Sequence, residues 1–218
     1  MIRAEHISRS FGDRRVLTDI SAVFEPGKTN LIIGKSGSGK TVFLKCLVGL
    51  LDVDEGEIYY NDIPFTRLDF LGKKELRKQM GMLFQGSALF DSMTVEENVR
   101  FPLDMFTGMS YREKLERVNF CLGRVNIENS NRLFPSELSG GMKKRVAIAR
   151  AIALKPRFLF CDEPNSGLDP KTSIVIDELI REITVELNMT TIVNTHDMNS
   201  VMENGEKIIF IEEGEKCW

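Results

Sequence analysis

An eight-residue stretch, GKSGSGKT at residues 34–41, constrains this 218-residue chain more than any other feature. It follows the apolar run TNLII and leads into the helical pattern VFLKCLVGL, so strand, loop and helix come in order. Glycines let main-chain N–H groups converge on one anion, and the helix adds the positive end of its dipole. The pattern G-x-x-x-x-G-K-S/T is much more specific than a glycine-rich turn before an ordinary helix. It predicts a phosphate-binding loop.

The residue types in this loop indicate a nucleoside triphosphate with Mg²⁺. Lys40 reaches the outer phosphates as a point charge, and the Thr41 hydroxyl ligates the Mg²⁺ that bridges them. The residues expected to bind the nucleotide here are Gly34, Lys35, Ser36, Gly37, Ser38, Gly39, Lys40 and Thr41.

Short apolar runs alternate with helical patterns along the chain, which is typical of a mostly parallel sheet covered by helices. The runs are TNLIIG, GMLF, RFLFCDE, TTIVNTH and KIIFIEEG. The opening 26 residues and EGEIYYNDI alternate instead and predict a small antiparallel sheet on one flank. Helical patterns at residues 94–103 and 111–125 predict a helical subdomain inserted at about 86–155. The predicted fold is α/β, a RecA-like P-loop NTPase core, in one domain of residues 1–218.

Composition excludes several classes of protein. The net charge of −3 argues against a nucleic-acid partner, although it leaves room for a local basic patch. Four cysteines, at positions 46, 121, 161 and 217, lie far apart without a CxxC pair, which favours reduced thiols over disulfides or zinc. No apolar run approaches the roughly 18 residues of a membrane-spanning helix. We therefore expect a soluble chain whose membrane role comes through a partner.

Four polar residues follow predicted strands, where ligands of open α/β sheets bind. Asp162 is expected to complete the Mg²⁺ shell, and Glu163 to deprotonate the water that attacks the γ-phosphate. His196 is a candidate donor to that phosphate, although a lone histidine is more often structural. Gln85 is expected to orient water or to contact the metal. The alternative for the carboxylates is a solvated turn.

Six ordered motifs give the chain a resemblance to a known family over its whole length. The motifs are GKSGSGKT, Gln85, LSGGM, FLFCDEP, NSGLDP and His196. The chain resembles the nucleotide-binding subunit of an ABC transporter. The resemblance implies an ATPase that forms a head-to-tail homodimer, with ATP between the phosphate loop of one subunit and LSGGM of the other.

LSGGM, residues 138–142, begins a helical run with two glycines, each of which lowers helix propensity by roughly 1 kcal/mol. The resemblance implies that this helix end faces the γ-phosphate held by the partner chain, with its unpaired N–H groups and positive dipole. Ser139 is expected to cap the helix, and we expect the glycines to make sense only with an anion present. The residues expected to contact ATP across the dimer are Ser139, Gly140, Gly141, Met142 and Asp169.

Other residues matched by the resemblance also have a structural alternative. Phe11 matches the aromatic that stacks on adenine, but it could lie in the core. Asp169 matches the loop that couples the two ATP sites, and it could also cap the helix KTSIVIDELIREI. The basic residues Lys143, Lys144 and Arg145 are interpreted as an exposed, solvated face rather than a nucleic-acid site.

Two features narrow the resemblance to one branch of the family. They are Met142, where most members have glutamine, and QGSALFDSMTVEENVRFPL at 85–103. Both are similar to the MlaF/Mkl branch, the ATPases of Mla- and Mce-type lipid transporters. The branch implies an integral membrane permease, an Mce-type lipid-binding protein, a hydrophobic cargo such as phospholipid, and a place on the cytoplasmic face of the inner membrane. Members continue with a helix after the segment matching EEGEKCW, which predicts a longer protein.

Alternative interpretations remain open for the segment after Gln85 and for the function of the chain. Leu89, Phe90 and Met93 are expected either to form the permease-docking groove or to lie in the core of the helical subdomain. A cell-division type of mechanical regulator, or an importer of another solute, would use the same ATPase. An adjacent Mce-domain gene favours lipid transport, and a wall-hydrolase activator gene favours the regulator. A P-loop kinase would need an acceptor-binding lid and has no use for LSGGM.

Overall fold

The strands form two sheets in the computed structural model, which describes residues 1–197 and 206–217. Within those ranges the strands, numbered in chain order, are β1 (Ile2–Phe11), β2 (Arg14–Phe24), β3 (Thr29–Ile33), β4 (Glu55–Tyr60), β5 (Ile63–Pro64), β6 (Met80–Leu83), β7 (Phe158–Asp162), β8 (Thr190–Thr195), β9 (Lys207–Glu212) and β10 (Glu215–Lys216).

The larger sheet has the order β10-β9-β3-β8-β7-β6, and it is parallel except at the β10 edge. Every residue of β3, β7 and β8 is buried, as expected for central strands covered on both faces. All five strands predicted from apolar runs lie in this sheet. The carboxyl ends of its parallel strands therefore meet along one edge.

The smaller sheet, β2-β1-β4-β5, is antiparallel and confirms the predicted flanking sheet. It shares an apolar cluster with the first helix and with the larger sheet. The rings of Phe24 and Phe43 lie 6.2 Å apart there, and Tyr60 donates its hydroxyl proton to the oxygen of Leu47 at 2.7 Å. The predicted α/β fold class is thus confirmed.

Six α-helices lie in the described part of the chain. They are α1 (Lys40–Val48), α2 (Phe70–Arg77), α3 (Val95–Phe106), α4 (Tyr111–Arg124), α5 (Gly140–Ala151) and α6 (Pro170–Glu186). Helices α3 and α4 agree with the two helical patterns predicted after Gln85, although α3 extends three residues beyond the expected end. Thr94 and Ser110 begin them with capping boxes, each of which satisfies two main-chain donors.

The helices after Gln85 pack on the larger sheet through one continuous apolar cluster. Val99, Val118 and Val146 belong to this cluster together with Leu31 and Leu159 of the sheet. A separate helical subdomain at residues 86–155 therefore remains a prediction. The sequence DMNSVMEN, residues 197–204, also predicts a short helix, but all of it except its first residue falls outside the described residues.

The four cysteines are free thiols in the structure. Cys46, Cys121 and Cys161 are buried, and burial raises the pKa of the first two to about 11, which keeps them protonated. Among the described residues, no helix has both the length and the apolar character needed to cross a bilayer.

Candidate nucleotide-binding site

The loop between β3 and α1 has the geometry of an anion cradle. Gly34, Gly37 and Gly39 have φ values of 152°, 79° and 104°, which side chains disfavour. Gly39 precedes α1 without any side-chain cap, so no side chain within residues 1–197 and 206–217 accepts from the first N–H groups of the helix. Those donors and the helix dipole both favour a phosphate at this point.

Two glycines of the loop offer a matched pair of substitutions. A Cβ at Gly34 would lie 2.1 Å from the main-chain oxygen of Ile211, whereas a Cβ at Gly37 meets nothing within 4 Å. We expect Gly37→Ala to cost about 1–2 kcal/mol, from its left-handed conformation alone. Gly34→Ala should lower the thermal midpoint by about 8 °C or more, because backbone atoms must also move. Thermal unfolding without nucleotide measures both, and equal midpoints would contradict the close approach.

Lys40 and Ser38 add two polar groups inside the loop. Lys40 is 4% exposed, and its Nζ donates to the oxygens of Gly34 at 2.7 Å and Lys35 at 2.9 Å. Burial lowers the pKa of Lys40, while the charges of Glu163 and Asp162 oppose that shift. Ser38 Oγ is buried and has no hydrogen-bond partner among the described residues. A cation and an unsatisfied hydroxyl both suit a bound phosphate.

Thr41 and Asp162 bring hard oxygen ligands together beside the loop. The Thr41 hydroxyl donates to Asp162 Oδ1 at 2.9 Å, and Asn194 Nδ2 donates to the same oxygen at 3.1 Å. Hydroxyl and carboxylate oxygens are the ligands that Mg²⁺ prefers, and the ion usually keeps several waters and substrate phosphates. The pair therefore fits the predicted magnesium site. Asn194 was missed by the sequence analysis, because only the pairing of β7 with β8 places it opposite Asp162.

Glu163 lies at the centre of the predicted catalytic residues. Its Oε2 accepts from Gln85 Nε2 at 3.2 Å, and its Oε1 lies within hydrogen-bond distance, 3.1 Å, of His196 Nδ1. Strand register explains the first contact. Leu83 pairs with Cys161, Gln85 comes two positions after Leu83, and Glu163 comes two positions after Cys161. Glu163 has a φ of 48°, in the left-handed region that is uncommon for residues other than glycine. Gln85 also donates to Ser166 Oγ at 3.2 Å, and its contact with the metal stays a prediction.

A second cleft, of about 680 Å³, contains the residues predicted to act across a dimer. Ser139 caps α5 as predicted, because its Oγ accepts from Met142 N at 3.3 Å. None of the loop residues 34–41 lines this cleft. The residues lining it include Ser139, Gly140, Gly141, Met142, Gly167, Leu168 and Asp169.

Asp169 caps α6, which confirms the structural alternative for this residue. Its Oδ1 accepts from the N–H groups of Lys171 and Thr172 at 3.1 Å each, and its Oδ2 accepts from the Thr172 hydroxyl at 2.5 Å. These bonds hold the pKa of the Asp169 carboxyl below its usual value. The cap leaves the residue in the second cleft, so both roles are compatible.

The structure adds a packing role for one of the paired glycines. A Cβ at Gly141 would lie 2.8 Å from Thr172 Cγ2, and the Thr172 hydroxyl donates to Asp169 Oδ2. A side chain at Gly141 would require Thr172 to shift, so close packing of α5 on α6 favours glycine there. Gly140 has room, with its nearest neighbour among the described residues at 3.5 Å. The need for an anion at these two glycines stays a prediction.

The structure also corrects the basic cluster at the start of α5. Lys144, expected to be exposed, is buried, and its Nζ donates to the main-chain oxygen of Gln85. Burial lowers the pKa of Lys144, although the charges of Asp162 and Glu163 oppose this. Lys143 and Arg145 are only partly exposed. One member of the cluster thus lies in the interior, close enough to Asp162 and Glu163 to be affected by their charges.

Phe11 is exposed at the end of β1, so it does not lie in the core. It pairs with Arg14 across the hairpin, and the guanidinium of Arg9 lies 5.1 Å from its ring centre. Arg14, Arg15 and Val16 line a pocket of about 360 Å³ together with loop residues 35–38. These three residues were missed, since no sequence motif marks them. The available signal was their position shortly after Phe11, beyond Gly12 and Asp13.

Comparison with known proteins agrees with this geometry. A family model described as "ABC transporter" matches residues 17–166. The methionine import ATP-binding protein MetN of Clostridium tetani is 41% identical over 213 residues, covering 97% of this chain and 66% of that protein. The probable ribonucleotide transport ATP-binding protein mkl of Mycobacterium tuberculosis is 36% identical, covering 91% of this chain and 55% of that protein. The chain thus spans just under two thirds of the length of this MetN protein and just over half of the length of this mkl protein.

Solved structures give the same result. A dimeric ATP-binding cassette, MJ0796, in a post-hydrolysis state with ADP and Pi, superposes with a TM-score of 0.90 at 32% identity. The match covers 100% of this chain and 97% of that one. Fold and site define an ATP-binding cassette, a class of ATPase that uses ATP with Mg²⁺. The chain belongs to the ABC transporter family, and both Mkl and MetN proteins are among its relatives.

Proposed function

We propose that this chain is the subunit that hydrolyses ATP to drive a membrane transporter. The observation that carries the proposal is the contact of Glu163 with both Gln85 and His196, beside the Thr41–Asp162 pair. This arrangement supports hydrolysis, because a carboxylate at the carboxyl edge of the sheet is held by two polar neighbours next to a phosphate loop.

In the proposed mechanism, each group has one task. Lys40 and the N–H groups of the loop bind the phosphates, and Thr41 and Asp162 hold Mg²⁺. When bound, Mg²⁺ neutralises charge on the phosphates. Glu163 accepts a proton from the attacking water. Gln85 and His196 restrict the carboxylate to one orientation, which favours attack from a single direction.

We further propose a head-to-tail homodimer with ATP between two copies. The residues at 139–142 and Asp169 share a cleft that none of the phosphate-loop residues 34–41 lines, which supports a ligand held by another copy. The dimeric form of MJ0796 supports the same assembly. A helix N-terminus bearing Ser139 then faces phosphate, where its dipole is favourable.

An apolar groove of about 480 Å³ beside the Gln85 loop supports docking of a permease. Phe90 and Phe101 line it with ring centres 4.8 Å apart, and Phe106 extends it along α3. Of the residues considered for docking, Leu89 packs against the core instead and Met93 is partly buried. An exposed aromatic groove is typical of a protein contact. Docking there would place the chain on the cytoplasmic face of the inner membrane.

Phe106→Arg tests the groove. Phe106 is 42% exposed, so the substitution should leave folding and ATP binding unchanged while a buried charge disrupts the contact. We expect permease co-purification to fall by about tenfold or more, the size of a central interface residue. Phe120→Arg is the matched control, since Phe120 is 47% exposed on α4 and lines a different pocket. Equal recovery of permease with both variants would contradict docking in this groove.

For the cargo we propose phospholipid or another hydrophobic molecule, moved with an Mce-type protein. Met142 and the segment at 85–103 support this through their similarity to the MlaF/Mkl branch. Import of a small solute such as methionine is the second candidate, because the MetN relative is 41% identical. The ATPase core is the same in both cases.

Purification of the protein with its permease separates the two candidates. Under the first proposal, mass spectrometry finds bound phospholipid and an Mce-type protein, and ATP turnover rises in phospholipid nanodiscs. Under the second, turnover rises with methionine. A complex that contains neither protein-bound lipid nor an Mce protein would overturn the lipid proposal. A complex that binds no Mg-ATP, or does not hydrolyse it, would overturn the ATPase role.

A further inference from the structure

The segment from Gln85 to Ala88 is held mainly by one helix that does not adjoin it in sequence. Lys144 Nζ of α5 donates to the oxygen of Gln85. Arg150, six residues later on α5, donates to the oxygens of Ser87 at 2.8 Å and Ala88 at 2.7 Å. Three main-chain oxygens of this short segment therefore accept from two cationic side chains of α5.

The same segment has an unfavourable backbone. Ser87 and Ala88 have φ values of 63° and 48°, and neither is glycine. Left-handed conformations at such residues are unfavourable and persist only where the surroundings hold them. The charge-assisted hydrogen bonds from the partly buried Arg150 to the oxygens of Ser87 and Ala88 are strong enough to do so. The side chains of α5 thus maintain a conformation that the segment does not prefer.

Burial of Lys144 makes a purely structural role a poor explanation. A lysine that is 4% exposed loses its hydration. The ammonium group of Lys144 donates to a main-chain carbonyl oxygen and lies near Cys161, Asp162 and Glu163. An apolar side chain of similar length would fill this space at lower cost. The contact therefore needs a reason other than stability.

We infer that Lys144 is a positioning residue that links the start of α5 to the catalytic carboxylate through Gln85. Lys144 lies one turn after Gly140, and Gln85, whose oxygen it holds, donates its amide to Glu163 at 3.2 Å. A shift of α5, whose N-terminus would face the partner's ATP, then moves the amide at this chain's own site. Arg150 extends the link to the docking groove, since its guanidinium lies 5.8 Å from the Phe90 ring. This inference rests on the proposed ATPase role of Glu163.

Lys144→Met removes the donor while keeping the length of the side chain. We expect turnover per nucleotide-binding site to fall by about 10- to 100-fold, the effect of a small misplacement near the chemistry. The KM for ATP should stay within about twofold, because Lys144 touches no phosphate-binding group. The thermal midpoint should equal or exceed that of the parent protein, because a desolvated cation has been removed. Counting bound nucleotide excludes misfolded molecules from the turnover number.

Two further variants decide whether Lys144 acts through Gln85. Lys144→Arg keeps a donor and should restore turnover to within about threefold of the parent. Lys144→Met combined with Gln85→Ala should be no slower than Gln85→Ala alone, because two residues in one chain of contacts do not add. Lys143→Met, with the same charge change one residue away, is the control and should match the parent.

The outcomes separate this inference from the proposed function. If the parent complex hydrolyses ATP and Glu163→Gln stops it, the ATPase role stands. In that case the inference is overturned by parent-like turnover of Lys144→Met, by effects that add to those of Gln85→Ala, or by failure of Lys144→Arg to restore turnover. A parent complex that does not hydrolyse ATP at all overturns the proposed function first.

Discussion

Glu163→Gln is expected to lower ATP turnover by about 10²- to 10⁴-fold, the usual size of a general-base contribution. The amide cannot accept the proton of the attacking water. It keeps the size of the carboxylate and can still accept from Gln85. Because Glu163 is not part of the phosphate loop, binding of Mg-ATP should remain within about threefold of the parent.

Single-turnover hydrolysis and ATP titration measure the two quantities separately. Glu182→Gln is the control. Glu182 is exposed on α6, so this substitution makes the same chemical change away from the site. Turnover of Glu163→Gln within about tenfold of the parent would remove the general-base role. Loss of ATP binding would assign the residue to nucleotide binding instead.

Ser139→Arg is expected to abolish the ATP-dependent dimer while ATP still binds to the phosphate loop. The long side chain enters the cleft of about 680 Å³ that the partner's ATP would occupy. It also removes the cap of α5, at a cost of about 1 kcal/mol. Light scattering with ATP, in a variant background that does not hydrolyse it, reports the dimer.

Ser110→Arg is the control for Ser139→Arg, because it removes a helix cap without changing the cleft proposed to bind the partner's ATP. Ser110 caps α4 in the same way, with its hydroxyl accepting from Glu113 N at 3.4 Å. Both variants should lose similar stability, and only Ser139→Arg should fail to dimerise. A dimer that still forms with Ser139→Arg would show that this cleft does not face the partner's nucleotide.

Much of the site could be predicted because its determinants are local. The phosphate loop needs only a strand, three glycines and a helix in sequence, and all three elements occur as expected. Asp162 ends β7, whose other residues are apolar, and Glu163 follows it directly; such strands end at the ligand edge of an open sheet. The caps at Ser139 and Asp169 were also readable, since capping involves residues two or three positions apart.

The errors and omissions share one cause, which is dependence on distant neighbours. In the sequence, Lys144 looks like one of three exposed basic residues. In the structure it is buried, and it donates to the oxygen of Gln85, 59 positions away. Asn194 reads as an ordinary strand residue until β8 pairs with β7. The close approach of Gly141 to Thr172 Cγ2 depends on a residue of α6 that the sequence around LSGGM does not indicate.

Sequence alone accounts for the α/β class, the phosphate loop and the carboxylates at the end of β7 and directly after it, because short-range backbone geometry and strand burial decide those features. How these parts meet depends on the tertiary structure. Strand order brought Asp162 to Asn194 and Glu163 to Gln85, and packing turned Lys144 inward to the Gln85 segment. Such contacts depend on which strands become neighbours, and that choice follows from burial of the whole core rather than from any one motif.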